Sequence, residues 1–189
     1  MHHTIIETTP FGPVVLLWTR RNDRPKIVRV LLSAPGMSAV EQIARLYPQA
    51  VAASCPEIDA VAAAIQRMLA GEAIEIPLAI TDLAQCSPFQ QAVLRAEYRI
   101  PRGEVSTYQL IAAHIGVPTG ARAVGTALAH NPFPLIVPCH RAIRSDRQLG
   151  GFQGGIAMKQ ALLSREGIPF DAAGRVACPH FHYETRRND

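Results

Sequence analysis

The sequence predicts an α+β fold, in which a small antiparallel sheet with helices precedes a mostly helical, winged-helix-like region that contains a helix-turn-helix. Three observations predict this fold. Short segments rich in β-branched and large apolar residues, separated by turn residues, fill the first part of the chain. Two later segments have apolar residues at helical spacing. Further along, capping residues, prolines and glycines mark the ends of several short helices.

The N-terminal domain is predicted to cover residues 1–85. Its strands are predicted at residues 4–9, 14–18 and 26–32. Its helices are predicted at residues 38–46 and 57–70. Pro56 stands near the start of the second helix and Gly71 just past its end, which is the usual asymmetry of helix termini. Residues 73–80 are expected to form one more strand or an extended connector.

The C-terminal domain is predicted to cover residues 86–169 and to be mostly helical. A first helix is expected to begin at Pro88. Ser106 and Gln109 have the S-x-x-Q spacing of a capping box, which introduces the next helix. A short turn separates that helix from another at residues 121–130. Two short helices across a tight turn predict a helix-turn-helix.

Composition and charge exclude several classes of protein. No apolar run approaches the roughly 20 residues that span a bilayer, and the N-terminus lacks the basic and apolar segments of a secretory signal. The four cysteines are widely spaced, which is typical of free thiols in a reducing compartment. We therefore expect a cytoplasmic protein without membrane association. A monomer is expected as well. Residues 86–170 hold nine basic and four acidic side chains, so a polyanionic partner is expected for that half.

The second helix of the predicted helix-turn-helix has an unusual face. Arg122, Gly125, Thr126 and Ala129 share one side, so a single arginine projects from a surface of small residues. Such a surface can approach a sugar-phosphate backbone closely, while the arginine reaches into a groove or a base stack. Tight packing against another helix is the alternative interpretation, and the pattern taken alone favours it.

Cys139 is the candidate nucleophile. Residues 135–137 predict a short buried strand that ends at this cysteine. A thiol has a reference pKa of about 8.5, so a nearby imidazole that takes its proton raises the reactive fraction. Neighbouring residues of a strand point to opposite faces, so His140 reaches the sulfur only through a bend or a bridging water. A bare Cys-His pair is more often a buried, inert cysteine beside a satisfied histidine.

A set of separated motifs overturns that inert interpretation. In order along the chain they are Arg122-Ala123-Val124-Gly125, Asn131-Pro132, Ile136-Val137-Pro138-Cys139-His140-Arg141, Leu149-Gly150-Gly151-Phe152-Gln153-Gly154-Gly155 and Glu166-Gly167. In this order and spacing the sequence closely resembles the O6-alkylguanine-DNA alkyltransferases, also called methylated-DNA–protein-cysteine methyltransferases. The resemblance is dense over residues 87–168.

The resemblance implies a catalytic group of four residues. Cys139 would attack the O6-alkyl carbon and keep the alkyl group as a thioether. His140 would act as the base through a bound water, and Glu166 would orient the imidazole. Asn131 would brace the turn before the cysteine. The implied activity is direct, single-turnover repair of O6-alkylguanine in double-stranded DNA, with O4-alkylthymine as a further substrate and with no cofactor or metal ion.

The resemblance also implies a DNA-binding surface. Arg122 would fill the gap left when the target nucleotide rotates out of the duplex. Tyr108 would contact the extruded base or its phosphate, and Pro134 would pack against the base. The residues expected along the minor groove are Ala121, Arg122, Gly125 and Thr126. Phe152 stands where the family usually has tyrosine, and Gln153 is another departure, so both are expected to alter the shape of the base pocket.

Two rival functions remain open at this point. A non-catalytic alkyltransferase-like protein would bind alkylated DNA and recruit other repair factors, but relatives of that type lack the cysteine. A thiol hydrolase would use the same Cys, His and Glu residues, turn over repeatedly and need no DNA. Residues 170–189 lie beyond the resemblance and are expected to form an exposed extension. Within it, Cys178, His180 and His182 match no standard zinc spacing.

Overall fold

The structure is a computed structural model that describes residues 1–184, and it consists of two compact units. The first unit comprises residues 1–86, 132–136 and 153–155, and the second comprises residues 87–131, 137–152 and 156 onward. The predicted α+β class is confirmed, since the described chain contains a small sheet and six α-helices. No helix within residues 1–184 is both long enough and apolar enough to cross a membrane.

A four-stranded sheet forms the base of the first unit. Its strands are β1 (His2–Ile6), β2 (Val14–Arg21), β3 (Arg24–Leu32) and β4 (Val51–Ala52), in the order β3-β2-β1-β4. Strands β1, β2 and β3 are antiparallel neighbours, whereas the short β4 is parallel to β1. Asn22 and Asp23 join β2 to β3 with φ angles of 48° and 58°, which is the left-handed pair that a two-residue hairpin turn requires.

Two helices accompany this sheet, α1 (Ala39–Leu46) and α2 (Pro56–Ala70). Ser38 caps α1, because its hydroxyl accepts from the backbone N–H of Glu41 while the Glu41 carboxylate accepts from the backbone N–H of Ser38. Gly71 ends α2 at a φ of 109°, a left-handed conformation that favours glycine. The buried cluster that α1 shares with the sheet consists of Val15, Leu17, Leu31, Ala39 and Ile43.

The segment after α2 is a connector, which is one of the two alternatives predicted for residues 73–80. It contains two short 3₁₀ turns, at Leu78–Ile80 and Leu83–Gln85. Asp82 attaches it to the sheet, since its carboxylate pairs with Arg21 at 2.7 Å and its backbone N–H donates to the carbonyl of Ile27 at 2.8 Å.

Four helices and a two-stranded parallel sheet form the second unit. They are α3 (Pro88–Tyr98), α4 (Tyr108–His114), α5 (Ala121–Ala129) and α6 (Ile156–Arg165), with strands β5 (Ser106–Thr107) and β6 (Ala142–Ile143). The predicted start of α3 is confirmed, with Ser87 as its N-cap. The predicted capping box at Ser106 is wrong, because this hydroxyl instead donates to the carbonyl of His182 at 2.7 Å. Thr107 caps α4 and accepts from the backbone N–H of Leu110 at 3.1 Å.

Helices α4 and α5 follow each other across a tight turn, as the helix-turn-helix prediction requires. The backbone N–H of Gly120 donates to the carbonyl of Val117 at 2.7 Å just before α5 begins. At the other end of α5, the side-chain amide of Gln90 on α3 donates to the carbonyls of Ala127 and His130 at 3.2 and 3.1 Å. Hydrogen bonds therefore hold both ends of α5.

Residues 170–184 pack on the second unit, so the prediction of an exposed extension is wrong for them. The apolar cluster that includes them consists of Val105, Ile143, Leu149, Leu163, Ile168, Val176 and Cys178. The ring of Tyr183 stacks on His114 with centroids 3.8 Å apart, and its hydroxyl donates to the carbonyl of Ala96 at 2.8 Å. Burial of Val176 and Cys178 holds the segment on this unit, although other parts of it, such as residues 172–175, are exposed. The rest of the predicted extension, residues 185–189, lies outside the described residues.

Candidate active site and nucleic-acid interface

Cys139 begins a 3₁₀ turn, Cys139–Arg141, directly after a tight bend. The strand predicted at residues 135–137 is wrong, because these residues form a buried turn in which Leu135 has a φ of 74°. The backbone N–H of Cys139 donates to the carbonyl of Val137 at 2.8 Å. A bend rather than the end of a strand therefore directs the cysteine, which is nearly buried at 6% exposure.

Asn131 ties the end of α5 to this bend. The residue is buried, and its backbone N–H donates to the carbonyl of Leu128 at 3.1 Å. Its side-chain amide donates to the carbonyl of Val137 at 3.3 Å, two residues before Cys139. These are the contacts that the expected bracing role needs.

His140 and Glu166 form a buried pair beside the cysteine. Nε2 of His140 lies 3.0 Å from Oε1 of Glu166, and the two side chains are 1% and 5% exposed. Arg141 donates to the same carboxylate, from Nε to Oε2 at 2.9 Å and from Nη2 to Oε1 at 2.8 Å. Within residues 1–184, Nδ1 of His140 is buried without a hydrogen-bond partner. The imidazole is therefore held through one nitrogen, and the other nitrogen can accept a proton.

Burial and neighbouring charges set the protonation states of the site. Burial lowers the pKa of His140, although the carboxylate of Glu166 opposes the shift. Burial tends to raise the pKa of Glu166, but the hydrogen bonds that its carboxylate accepts lower it to about 2. Burial raises the pKa of Cys139 to about 12, against a hydrogen bond from Asn131 and the positive charge of Lys159. The resting site consequently holds a thiol, a neutral imidazole and a carboxylate.

Tyr108 is the first residue of α4, and its hydroxyl lies close to Gly150. A β-carbon added to Gly150 would lie 2.7 Å from the hydroxyl oxygen, and the φ of this glycine is 70°. Both facts require glycine at this position. Burial, with the negative charges of Glu97 and Cys139, raises the pKa of Tyr108 to about 12. The phenol therefore stays protonated at neutral pH and can donate a hydrogen bond.

Two fully buried ionisable residues of this unit were not predicted as site residues, Glu97 on α3 and Lys159 on α6. Nζ of Lys159 donates to the carbonyls of Ala142 and Gly151 at 2.6 and 3.3 Å. Neither carboxylate oxygen of Glu97 has a hydrogen-bond partner in the described part of the chain. A sequence signal for Glu97 exists, because it follows Val93 at a helical spacing that places it on the apolar face of α3.

The residues expected along the DNA lie on the outer face of α5. Arg122 and Thr126 are exposed, and Ala121 and Gly125 are partly buried. The opposite face of the helix supplies the buried residues Val124, Ala127 and Leu128. The small-residue face is therefore a surface, which excludes the alternative that it packs tightly against another helix.

The remaining candidate residues are divided between the units. Phe152 belongs to the second unit, and its ring meets the imidazole of His140 edge-on with centroids 6.2 Å apart. Pro134 and Gln153 belong to the first unit, where Pro134 is buried and Gln153 partly buried. The candidate residues that the second unit contains are Asn131, Cys139, His140, Glu166, Tyr108, Ala121, Arg122, Gly125, Thr126 and Phe152.

His182 and Cys178 of the C-terminal segment have structural neighbours, whereas His180 is exposed. Nδ1 of His182 lies 2.8 Å from a carboxylate oxygen of Glu104, and Cys178 lies in the apolar cluster of the second unit. Among residues 1–184, no three or more His, Cys, Asp or Glu side chains are grouped so that they could hold a metal ion.

Comparison with known proteins points to the region around Cys139. The family model for the 6-O-methylguanine DNA methyltransferase, DNA binding domain, matches residues 88–168. A methylated-DNA–protein-cysteine methyltransferase of Methanothermobacter thermautotrophicus is 41% identical over 107 residues, which are 57% of this chain and 60% of the relative. One of Mycobacterium leprae is 36% identical over 154 residues, which are 80% of this chain and 93% of the relative. The match to the methylated-DNA–protein-cysteine methyltransferase of Mycolicibacterium paratuberculosis spans 58% of that protein. The chain therefore aligns with less than two thirds of the length of several relatives.

Solved structures resemble a larger part of the chain. The crystal structure of Mycobacterium tuberculosis O6-methylguanine methyltransferase has a TM-score of 0.70 and 32% identity, and the match covers 91% of this chain and 97% of that one. The crystal structure of Mycobacterium tuberculosis OGT in complex with DNA has a TM-score of 0.69 and 34% identity, with 88% and 93% covered. Because these matches extend far beyond residues 88–168, the likeness includes the N-terminal half.

Proposed function

Because the chain belongs to the family of methylated-DNA–protein-cysteine methyltransferases, we propose that it repairs DNA by moving an alkyl group from O6 of guanine onto Cys139. The observation that carries this proposal is the buried contact of His140 with Glu166, 3.0 Å long, next to that cysteine. One ring nitrogen is thereby fixed and the other is left to take a proton. O4-alkylthymine is a second expected substrate.

The reaction begins with removal of the thiol proton. Nδ1 of His140 takes this proton through a bound water, and the carboxylate of Glu166 stabilises the imidazolium that results. The thiolate of Cys139 then attacks the alkyl carbon, so that an S–C bond forms while the bond from carbon to O6 breaks. As the guanine leaves, it takes up one proton from water while the imidazolium of His140 returns the thiol proton to water, so one proton moves in net from the sulfur to the guanine. The protonated phenol of Tyr108 is the proposed hydrogen-bond donor to the departing ring.

The product is a thioether, which water does not cleave. Each protein molecule is therefore consumed by one lesion, and the transfer needs no cofactor. We expect the protein to act as a monomer in the cytoplasm.

The outer face of α5 is the proposed DNA-binding surface. Its small residues allow the helix to approach the sugar-phosphate backbone, and Arg122 projects from it to occupy the space that an extruded nucleotide leaves. Extrusion is required because Cys139 is nearly buried, so a base stacked in the duplex could not reach it. The roles expected of Pro134, Phe152 and Gln153 stay predictions.

A DNA duplex that contains O6-methylguanine tests the proposal. After incubation, mass spectrometry of tryptic peptides should show one methyl group gained on the Cys139 peptide, with no more than one transfer per protein molecule. Cys139→Ala should abolish the gain. Cys178→Ala is the matched control, because Cys178 is another buried cysteine of the second unit, and it should leave the gain intact.

Two outcomes would contradict the proposal. Tight binding to the methylated duplex with no methyl gain would identify the non-catalytic alkyltransferase-like alternative. Turnover beyond one equivalent without DNA would identify a thiol hydrolase.

A further inference from the structure

Glu97 is a buried carboxyl group that the proposed reaction does not use. It lies on α3, which packs against the 3₁₀ turn of Cys139, and it is completely removed from solvent. Neither carboxylate oxygen has a hydrogen bond of good geometry within residues 1–184, although the backbone N–H of Ala142 lies near enough to lower the pKa of the group. A buried carboxylate without a partner is strongly unfavourable, so its presence requires a physical explanation.

The charged and titratable groups that act on Glu97 come from every element around it. They are Lys159 of α6, Cys139 and Arg141 of the 3₁₀ turn, Tyr108 of α4 and Tyr183 of the C-terminal segment. Arg141 is already bound to the carboxylate of Glu166. Lys159 donates to the backbone carbonyls of Ala142 and Gly151. These carbonyls carry no net charge, so they do not neutralise the ammonium group.

A negative charge on Glu97 disfavours the thiolate of Cys139 in two ways. It repels the thiolate directly, and it offsets the positive charge of Lys159 that stabilises the thiolate. Both effects are strong because the three groups lie in an interior where water does not screen them. A protonated Glu97 exerts neither effect.

We propose that Glu97 is a positioning residue whose charge controls how readily Cys139 forms the thiolate that accepts the alkyl group. The inference rests on the proposed function, because it concerns the same sulfur. With Glu97 protonated, the ammonium of Lys159 is the unbalanced charge near the thiol and favours ionisation. With Glu97 ionised, Cys139 is held as a thiol.

Glu97 changes between its protonated and ionised states at mildly alkaline pH. Burial raises the pKa of Glu97 to about 8, while the charges of Lys159 and Arg141 and the backbone N–H of Ala142 limit the rise. Glu97 is therefore mostly protonated at neutral pH, which is the state that favours reaction. Burial also lowers the pKa of Lys159 to about 8. Raising the pH through this range therefore adds the negative charge of Glu97 and removes the positive charge of Lys159, so the alkylation rate of Cys139 rises less with pH than that of an isolated thiol.

The test measures how fast iodoacetamide alkylates Cys139 in the full-length protein between about pH 6 and about pH 10, with peptide mass spectrometry as the readout. Glu97→Gln is a neutral isostere, and Glu97→Leu removes the polar group altogether. Cys178 is followed in the same samples, because it is a buried cysteine on which Glu97 has no resolved influence. Iodoacetamide needs no DNA, so this result is independent of the methyl-transfer assay.

We expect both variants to match the unchanged protein near pH 6 and to react about threefold faster, or more, above about pH 9. The logarithm of the rate should rise less steeply with pH in the unchanged protein than in either variant between about pH 7 and pH 9. Titration of Lys159 occurs in all three proteins, so this difference in slope reports on Glu97. Parallel pH profiles would overturn the proposal, and so would an acceleration of equal size near pH 6, because a defect in packing does not depend on the charge of Glu97.

Discussion

Nε2 of His140 and Oε1 of Glu166 lie 3.0 Å apart, and both side chains are almost completely removed from solvent. The contact fixes the tautomer of the ring, because the proton on Nε2 has to point at the carboxylate. Two further hydrogen bonds from Arg141 hold the carboxylate in place. In the proposed mechanism, Nδ1 is consequently the nitrogen that accepts the proton of the thiol.

Glu166→Gln should slow methyl transfer by about a hundredfold or more, because an amide neither selects the same tautomer nor stabilises an imidazolium. The measurement is the single-turnover rate on a duplex that contains O6-methylguanine. Glu104→Gln is the matched control, since Glu104 is half-exposed and contacts His182 instead. A rate for Glu166→Gln close to that of the control would show that the pair has no part in the reaction.

The Glu166 carboxylate should also make the fold sensitive to acid. Hydrogen bonds overcome burial and lower its pKa from 4.5 to about 2, so its contribution to stability is present above pH 4.5 and is lost as the pH falls towards 2. That contribution is about 3 kcal/mol. Urea unfolding should therefore show the difference in unfolding free energy between the unchanged protein and Glu166→Gln shrinking by this amount between pH 4.5 and pH 2. A constant difference would refute the lowered pKa.

Glu97→Gln should stabilise the protein at neutral pH. Burial raises the pKa of Glu97 from 4.5 to about 8, so the stabilising effect of its proton is complete below pH 4.5 and is lost as the pH rises towards 8. Glutamine does not titrate, and at pH 7 the variant should be more stable by about 3 kcal/mol. Urea unfolding at pH 4.5 and pH 7 measures the gain, which should be present only at the higher pH. Equal stabilities at both values would contradict the prediction.

Gly150→Ala should displace the hydroxyl of Tyr108 and slow methyl transfer by about tenfold or more. The added methyl group would lie 2.7 Å from that oxygen. Gly174→Ala is the matched control, because Gly174 has a nearly identical φ of 72° but no atom within 4 Å of an added β-carbon. Both variants should lose about 1 kcal/mol to backbone strain. If the two transfer rates were equal, the clash with Tyr108 would have no consequence for the reaction.

Arg122→Ala should reduce methyl transfer from duplex DNA by about tenfold, because nothing then fills the stack that the target base leaves. The transfer of an alkyl group from free O6-benzylguanine should be unchanged, since a free base needs no extrusion. Arg95→Ala removes the same charge from an exposed position on α3 and serves as the control on duplex DNA. If activity on the free base were lost as well, Arg122 would act in the alkyl-transfer step rather than in extrusion of the base.

Local signals were sufficient to predict α1, α2, α3 and α5, whereas α6 was not predicted. Ser38 and Ser87 cap α1 and α3, and Gly71 ends α2, because each interaction lies within a few residues of the helix end. The group of Cys139, His140 and Glu166 was predicted from motifs rather than from distances. The sequence separates His140 from Glu166 by 26 positions, so only a resemblance could pair them.

Contacts between residues that are far apart in the sequence explain the features that local sequence patterns did not predict. The hydroxyl of Ser106 matches a capping pattern, yet it bonds to the carbonyl of His182, 76 positions away. Leu135 adopts a left-handed φ that its apolar neighbours do not indicate. In the sequence analysis Glu97 was counted only as one of four acidic residues between positions 86 and 170. Its burial follows from the packing of α3 against the turn of Cys139.

The packing of Val176 and Cys178 on the second unit limits how this protein can be shortened. The match to the family model ends at residue 168, and a fragment cut there would leave Val105, Ile143 and Leu163 facing water where they now meet that segment. Such a fragment would tend to aggregate even with every reactive residue intact. A fusion partner or affinity tag is better joined beyond residue 184.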